Sequence, residues 1–276
     1  MKKNIKLIAL DLDGTLLNSN KELTNVNFEA LRKAHEAGIY IVPTTGRLAS
    51  AMPAAVKELP FLQYVIACNG AQVTDITSGE VLDRKELTNA EALGIINVLK
   101  EYPGIYDSYI NGQGFMNKEF LARAREFTMD ENHYKLVYNN RTPVADLAEF
   151  ITERDFSVQK VQIMFRTVED QQRFMPEISS RLPHCLCTSS YPNNIEINCR
   201  TAHKGAGLEF LCGYLGIKIE QSMSFGDGSN DITMLSAAGT GVAMANAPDF
   251  VKEFADMIAP SCDENGVARV IEEFVL

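Results

Sequence analysis

Residues 6–15 read Lys-Leu-Ile-Ala-Leu-Asp-Leu-Asp-Gly-Thr, a short apolar run that ends on two carboxylates and a glycine. A continuous apolar run of this length suits a strand buried on both faces, as in a parallel sheet. The residues that follow keep the pattern. From Thr24 to Ala37 apolar side chains recur at helical spacing (Phe28, Leu31, Ala34), and Gly38 supplies a C-terminal stop. Ile39 to Val42 reads as a second buried strand ending in Pro43-Thr44-Thr45-Gly46-Arg47. A helix to about Leu59 and a third strand, Tyr64 to Ala67, then close on Asn69-Gly70. This strand–helix alternation predicts a doubly wound, Rossmann-like α/β core built on a parallel sheet.

Beyond residue 85 the pattern changes. Thr88 begins a helix, with Glu91 placed for a capping box. Ile105 to Ile110 and Phe115 to Asn117 flank Asn111-Gly112-Gln113-Gly114, a good hairpin turn. Helical stretches at 119–128, 143–153 and 168–182 and a strand around Val158 to Phe165 complete a second α/β block. From Asn194 the first pattern returns. Ile195-Glu196-Ile197 is strand-like, His203 to Leu215 helical, and Met223-Ser224-Phe225 runs into Gly226-Asp227-Gly228-Ser229-Asn230-Asp231. The expected organisation is one discontinuous core, residues 1–85 and 191–276, with an α/β domain inserted at 86–190.

The chain has 276 residues, 46% apolar and 22% charged, the balance of an ordinary globular protein. Its formal net charge of −10 argues against nucleic acid or an anionic membrane as partner, since both require a basic face. The apolar stretch after Met1-Lys2-Lys3-Asn4 is too short for a signal peptide. No other stretch approaches the roughly 20 apolar residues that span a bilayer. Cys68, Cys185, Cys187, Cys199, Cys212 and Cys262 are scattered without metal-site spacing and read as reduced thiols. The expectation is a cytoplasmic protein.

Four loops that follow strands hold the chemistry-bearing residues, and in open parallel sheets ligands bind at those carboxyl ends. Asp11 and Asp13 come first. Like charges so close need a cation or a proton, and Mg²⁺, a hard ion bound by oxygen, fits. A carboxylate there can attack phosphorus, and a neighbouring carboxylic acid can protonate a leaving alcohol. Thr44-Thr45-Gly46-Arg47 offers a hydroxyl and backbone N–H groups at a helix start, a ready anion site. Lys204 stands in the first turn of a helix, where a cation is disfavoured unless an anion lies nearby. Gly226-Asp227-x-x-Asn230-Asp231 supplies two more carboxylates and a carboxamide. Each loop alone also fits a bland reading: a solvated acidic turn, an ordinary helix start, a surface lysine, an Asp/Asn cap.

Taken in order, these loops give the chain a resemblance to the haloacid dehalogenase superfamily, in its Cof-type phosphatase branch with a large α/β cap. The match lies in Asp11-Leu12-Asp13-Gly14-Thr15-Leu16-Leu17, Thr45-Gly46-Arg47, Lys204-Gly205 and Gly226-Asp227-Gly228-Ser229-Asn230-Asp231. Gly241 to Ala247 and Asn265-Gly266-Val267-Ala268 support it. The resemblance implies a Mg²⁺-dependent phosphatase of small phosphorylated metabolites, with Asp11 as nucleophile carrying an aspartyl-phosphate. It makes Asp13 the general acid/base, with its backbone carbonyl on Mg²⁺. Asp11 and Asp227 become metal ligands, and Asp231 and Asn230 support the metal and phosphate shell. Thr45, Lys204 and the N–H groups of Leu12 and Gly46 would hold phosphoryl oxygens, and Arg47 the substrate. The inserted block takes the place of the family's cap. Asp13 disfavours dehalogenase chemistry, whose members lack that carboxylate. Transfer to a sugar hydroxyl, or silent metabolite binding, remain as alternatives. His203 is expected to be structural.

Overall fold

A computed structural model describes residues 3–154, 156 and 158–276, so Met1 and Lys2 of the N-terminal segment lie outside the described residues. The chain divides into two compact units. The first holds residues 1–47, 52–84 and 203–276, and the second 48–51 and 85–202.

The first unit is built on a five-stranded, all-parallel sheet in the order Met257–Ala259, Thr240–Met244, Ser222–Gly226, Leu7–Leu10, Tyr40–Pro43. Leu7–Leu10 and Ser222–Gly226 are buried at every position, which is why they read as unbroken runs. Leu7 pairs with Ser222 on one side and Tyr40 on the other, so the early and late parts of the chain meet in the middle of the sheet. Helix Asn25–Glu36 is capped by the Thr24 side chain, which accepts from the Asn27 N–H. It buries Ala30, Leu31 and Ala34.

Tyr64–Ala67, expected as a third parallel strand, instead starts a separate antiparallel sheet with Gln72–Asp75 and Glu80–Arg84. It meets the parallel sheet through the Thr44–Ile66 bridge, where the Thr45 N–H donates to the Ile66 carbonyl at 2.8 Å. Pro43 supplies the reason. The N–H groups of Tyr40 and Thr44 point toward Leu7–Leu10, so strand alternation puts the Pro43 nitrogen on the opposite side, where it has no hydrogen to donate.

The second unit carries a six-stranded sheet in the order Cys185–Thr188, Asn194–Cys199, Val158–Met164, Ile105–Ile110, Gln113–Asn117, Arg141–Val144. All neighbours are antiparallel except the last pair. The Asn111-Gly112 turn has both residues left-handed, and Thr88 and Glu91 form the expected capping box. Asn194–Cys199 corrects the expected boundary at residue 190. It pairs with Val158–Met164 and Cys185–Thr188, so the inserted unit runs on to residue 202. Residues 143 and 144, expected to open the helix over 143–153, instead end the strand Arg141–Val144, and the helix runs Leu147–Thr152.

Along Val158–Met164 the two faces differ in kind. Val161 and Ile163 pack with Ile95, Ile96 and Ile178 of the covering helices. On the other face Lys160 and Gln162 are polar and still buried. Lys160 Nζ lies 2.5 Å from Glu196 Oε1, and Arg141 Nε lies 2.9 Å from Asp107 Oδ2. Both cations stand 4.5 Å from the centroid of the Tyr109 ring. Among the described residues no helix is long and apolar enough to cross a membrane.

Candidate active site

At the carboxyl ends of the parallel strands the first and fourth loops meet the first turn of the Lys204 helix around one buried ammonium group. Lys204 opens the helix Lys204–Tyr214, whose N-cap is His203; its Nδ1 accepts from the Ala206 N–H at 3.0 Å, so His203 is structural, as expected. Lys204 is fully buried. Its Nζ donates to Asp11 Oδ1 at 2.6 Å and to Asp231 Oδ1 at 2.5 Å. Burial disfavours the ammonium charge, but the two carboxylates outweigh burial and raise its pKa. A lysine at a helix N-terminus is explained by these two anions.

Asp11 follows directly on Leu7–Leu10, and its N–H donates to the Phe225 carbonyl at 3.0 Å, tying the first loop to the fourth. Leu12 turns its side chain into the core, which leaves only its backbone for a ligand. In the fourth loop Asp231 Oδ2 accepts from the N–H groups of Asp227 and Gly228, at 2.9 and 2.8 Å. Asp227 Oδ1 accepts from the Thr15 hydroxyl at 3.0 Å. Gly14, with φ of 85°, lets this turn pass close by: a Cβ there would lie 2.4 Å from Asp227 Oδ2.

Asp11, Asp227 and Asp231 each offer a carboxylate oxygen, all within 4.8 Å of one another. Burial pushes the Asp11 carboxyl well above the ordinary range against the pull of Lys204, and Asp231 and Asp227 push it further. Burial, then Asp231, push Asp227 up to about 7. With all three ionised, the carboxylates would exceed the one ammonium by two negative charges, and the raised Asp11 and Asp227 reflect the cost of carrying that excess without a further cation. An all-oxygen donor set with that excess fits a hard divalent cation such as Mg²⁺.

Asp13 is oriented differently from these three. Its carboxylate takes two bonds from Arg47, Nε to Oδ2 and Nη2 to Oδ1, both 2.7 Å, and Lys21 Nζ lies 3.2 Å from Oδ1. Burial would raise this carboxyl, yet Arg47 and then Lys21 outweigh it and hold the group below its usual value. Arg47 is therefore engaged with Asp13. Thr45 is buried, and its Oγ1 accepts from the Arg47 N–H at 3.1 Å. Gly46 lies between them. Asn230 is buried, and its Nδ2 donates to Asn69 Oδ1 at 3.1 Å.

Four participants were not singled out in the sequence: Lys21, Thr15, Asn69 and Asn246, whose Nδ2 donates to the Gly14 carbonyl at 2.8 Å. Thr15 and Asn246 lie inside quoted motif stretches, and only that proximity marks them. Lys21 carries no local signal beyond its charge. It reaches Asp13 because it adopts a left-handed φ of 64° in the turn that brings Asn18 back to Glu22.

A family model described as haloacid dehalogenase-like hydrolase matches residues 8–271. The chain is 30% identical over 278 residues to the 5-amino-6-(5-phospho-D-ribitylamino)uracil phosphatase YcsE of Bacillus subtilis, covering 99% of this chain and 97% of that protein. It is 30% identical to the pyridoxal phosphate phosphatase YbhA of Escherichia coli, covering 96% and 97%. A solved haloacid dehalogenase-like hydrolase from B. subtilis superposes with a TM-score of 0.85 at 27% identity, covering 98% of this chain and all of that one. The order of the strands, the convergence of their loops on Lys204 and these matches agree: the chain belongs to the haloacid dehalogenase-like hydrolase family.

Proposed function

We propose that this chain is a Mg²⁺-dependent phosphatase that hydrolyses a small phosphorylated metabolite, a sugar phosphate or a phosphorylated cofactor, through an aspartyl-phosphate on Asp11. The observation that carries the reading is Lys204, buried between Asp11 and Asp231 with Asp227 beside them. A carboxylate nucleophile held against a fixed cation is suited to phosphoryl transfer, which depends on positioning and charge neutralisation. The relatives YcsE and YbhA, named as phosphatases of a phosphorylated ribitylaminouracil and of pyridoxal phosphate, support the substrate class.

In this mechanism an Asp11 carboxylate oxygen attacks phosphorus. The bond to the leaving oxygen breaks, and that oxygen takes a proton from the Asp13 carboxylic acid. The Asp13 carboxylate then removes a proton from water, whose oxygen attacks the phosphorus. The bond to Asp11 breaks, releasing inorganic phosphate and restoring both carboxyl groups. Lys204, Thr45 and the backbone N–H groups of Leu12 and Gly46 hold the phosphoryl oxygens, with Asn230 beside them. Asp11, Asp227 and the Asp13 carbonyl, with Asp231 in support, would hold Mg²⁺, whose positive charge would offset that on the phosphoryl oxygens. At rest Asp13 is paired with Arg47 and Lys21, so its acid form requires that pairing to loosen once substrate is present. Arg47, turned away from Asp13 in this step, is placed to contact the substrate.

We assign this chemistry to the first unit, as catalytic core, and discrimination between leaving groups to the inserted unit, as cap. We assign the chain to a reducing, cytoplasmic setting, in line with six cysteines scattered along the sequence without disulfide-framework spacing. The test is phosphate release from an aryl phosphate and then from a metabolite panel, with and without Mg²⁺ and with no added acceptor, for wild type and Asp11→Asn. Turnover that needs Mg²⁺ and disappears in the variant supports the reading; turnover that survives Asp11→Asn removes Asp11 from its role.

A further inference from the structure

Cys68, Asn69 and Gly70 follow the strand Tyr64–Ala67, and all three are left-handed, with φ of 52°, 59° and 89°. Glycine accepts that conformation freely. Two consecutive residues with side chains hold it only where the surroundings fix them, and such backbone clusters at functional sites. Here the surroundings are the loops of the candidate site. The Cys68 N–H donates to the Arg47 carbonyl at 2.9 Å, and the Asn69 N–H to the Thr45 carbonyl at 3.0 Å. Gly70 presses on the residue that caps the Lys204 helix: a Cβ at Gly70 would lie 2.3 Å from the His203 oxygen. The Asn69 side chain, 1% exposed, adds the contact to the fourth loop, its Oδ1 accepting from Asn230 Nδ2 at 3.1 Å. Three consecutive residues thus touch the Thr45, Lys204 and Asn230 loops, and none of the three is charged or placed to react.

We propose that Asn69 is a positioning residue that sets the orientation of the Asn230 carboxamide in the phosphoryl site; the proposal rests on the phosphohydrolase reading. A carboxamide is two-faced, an acceptor at one end and a double donor at the other. With Nδ2 held on the Asn69 oxygen, the flip of Asn230 is fixed before the phosphoryl group arrives. The left-handed turn aims Asn69, because an extended residue at this point would carry the side chain away from the fourth loop.

The test is a double-mutant cycle of Asn69→Gly and Asn230→Ala. Glycine suits a φ of 59°, so Asn69→Gly removes the acceptor while leaving the turn its conformation. The expected result is a fall in kcat of about tenfold, the rate equivalent of about 1.4 kcal/mol. KM and the unfolding midpoint should change little. In the Asn230→Ala background the same substitution should change kcat by less than about twofold, the scatter of non-interacting sites. Equal losses in both backgrounds, or a lowered midpoint with kcat unchanged, would overturn the proposal. The same cycle is read in parallel as the dissociation constant for inorganic phosphate in Mg²⁺. Should wild type bind phosphate without hydrolysing any ester, the phosphatase reading fails, and Asn69 stands or falls on coupling in that constant. A wild type that neither binds phosphate nor hydrolyses overturns both.

Discussion

Replacing Lys204 with methionine keeps the length of the side chain and removes the charge on which the candidate site converges. The ammonium lies 2.6 Å from Asp11 and 2.5 Å from Asp231. At an effective dielectric constant of ~20 each contact amounts to about 6 kcal/mol of attraction. Desolvation of the buried ammonium offsets a large part, and the net loss on removing one partner of a buried pair is about 3–5 kcal/mol. For a protein of this size that is a fall of about 6–20 °C in the unfolding midpoint. The loss should depend on pH. Asp11 already sits above the ordinary carboxylate range through burial, and without its counter-cation it rises further. A carboxyl raised in the folded state favours the fold when protonated, so the deficit of the variant is greatest above neutrality and shrinks as the pH falls. Mg²⁺ should recover part of it by binding the freed carboxylates. Turnover should fall by about 10²–10³, the scale for losing one fixed charge-stabilising donor. Thermal unfolding between about pH 5 and 8, with and without Mg²⁺, measures the first effect, and steady-state kinetics the second. A midpoint within about 2 °C of wild type together with a kcat within about threefold would refute this role for Lys204.

Gly14→Ala would drive a Cβ to 2.4 Å from Asp227 Oδ2 at a left-handed φ, so the Mg²⁺ concentration for half-maximal turnover should rise about tenfold or more, read by metal titration. Arg47→Gln removes the larger cationic restraint on Asp13, whose carboxyl should move up toward its ordinary value. Because a depressed carboxyl stabilises the fold above its unfolded pKa, wild type should exceed the variant by about 1.5–3 kcal/mol near neutrality. That advantage should vanish as the pH falls through the folded Asp13 value, as pH-resolved unfolding would show. Arg141→Met strands the fully buried Asp107 and should destabilise the inserted unit by about 3–5 kcal/mol in urea unfolding. Chelation of Mg²⁺ should abolish turnover, with recovery on readdition.

Much of the candidate site was legible because its chemistry sits in the loops after apolar runs, and both run and loop are local features. Leu7–Leu10 ending in Asp11, and Ser222–Gly226 ending in Asp227, needed no knowledge of the fold to be noticed. Lys204 was legible as an oddity, a cation at a helix N-terminus, and its two anions resolve it. What escaped was set by contacts distant in sequence or by backbone. Lys21 and Asn69 depend on left-handed conformations that residue type does not announce. Asn194–Cys199 was placed in the wrong unit, although its alternation of Ile195, Glu196 and Ile197 differs from the unbroken apolar runs of the parallel strands. Glu196 is polar because Lys160, far away in the chain, faces it. Tyr64–Ala67 looked like another parallel strand; the missing hydrogen on Pro43 ended the ladder before it.

The central pairing of Leu7–Leu10 with Ser222–Gly226 also sets a schedule for synthesis. Tyr40–Pro43 can dock beside the first strand early, but the strand on its other side begins at residue 222, more than 200 residues after Leu10. At about 5–20 residues per second the ribosome needs about 10–40 s to deliver it. Through that interval the first strand keeps one row of unpaired amides and carbonyls exposed, a template for unwanted pairing. The inserted unit, encoded entirely within that delay, is fully translated by residue 202. Its six strands can pair while Asp11 still waits for Asp227, so the half of the protein that begins first is the half that finishes last.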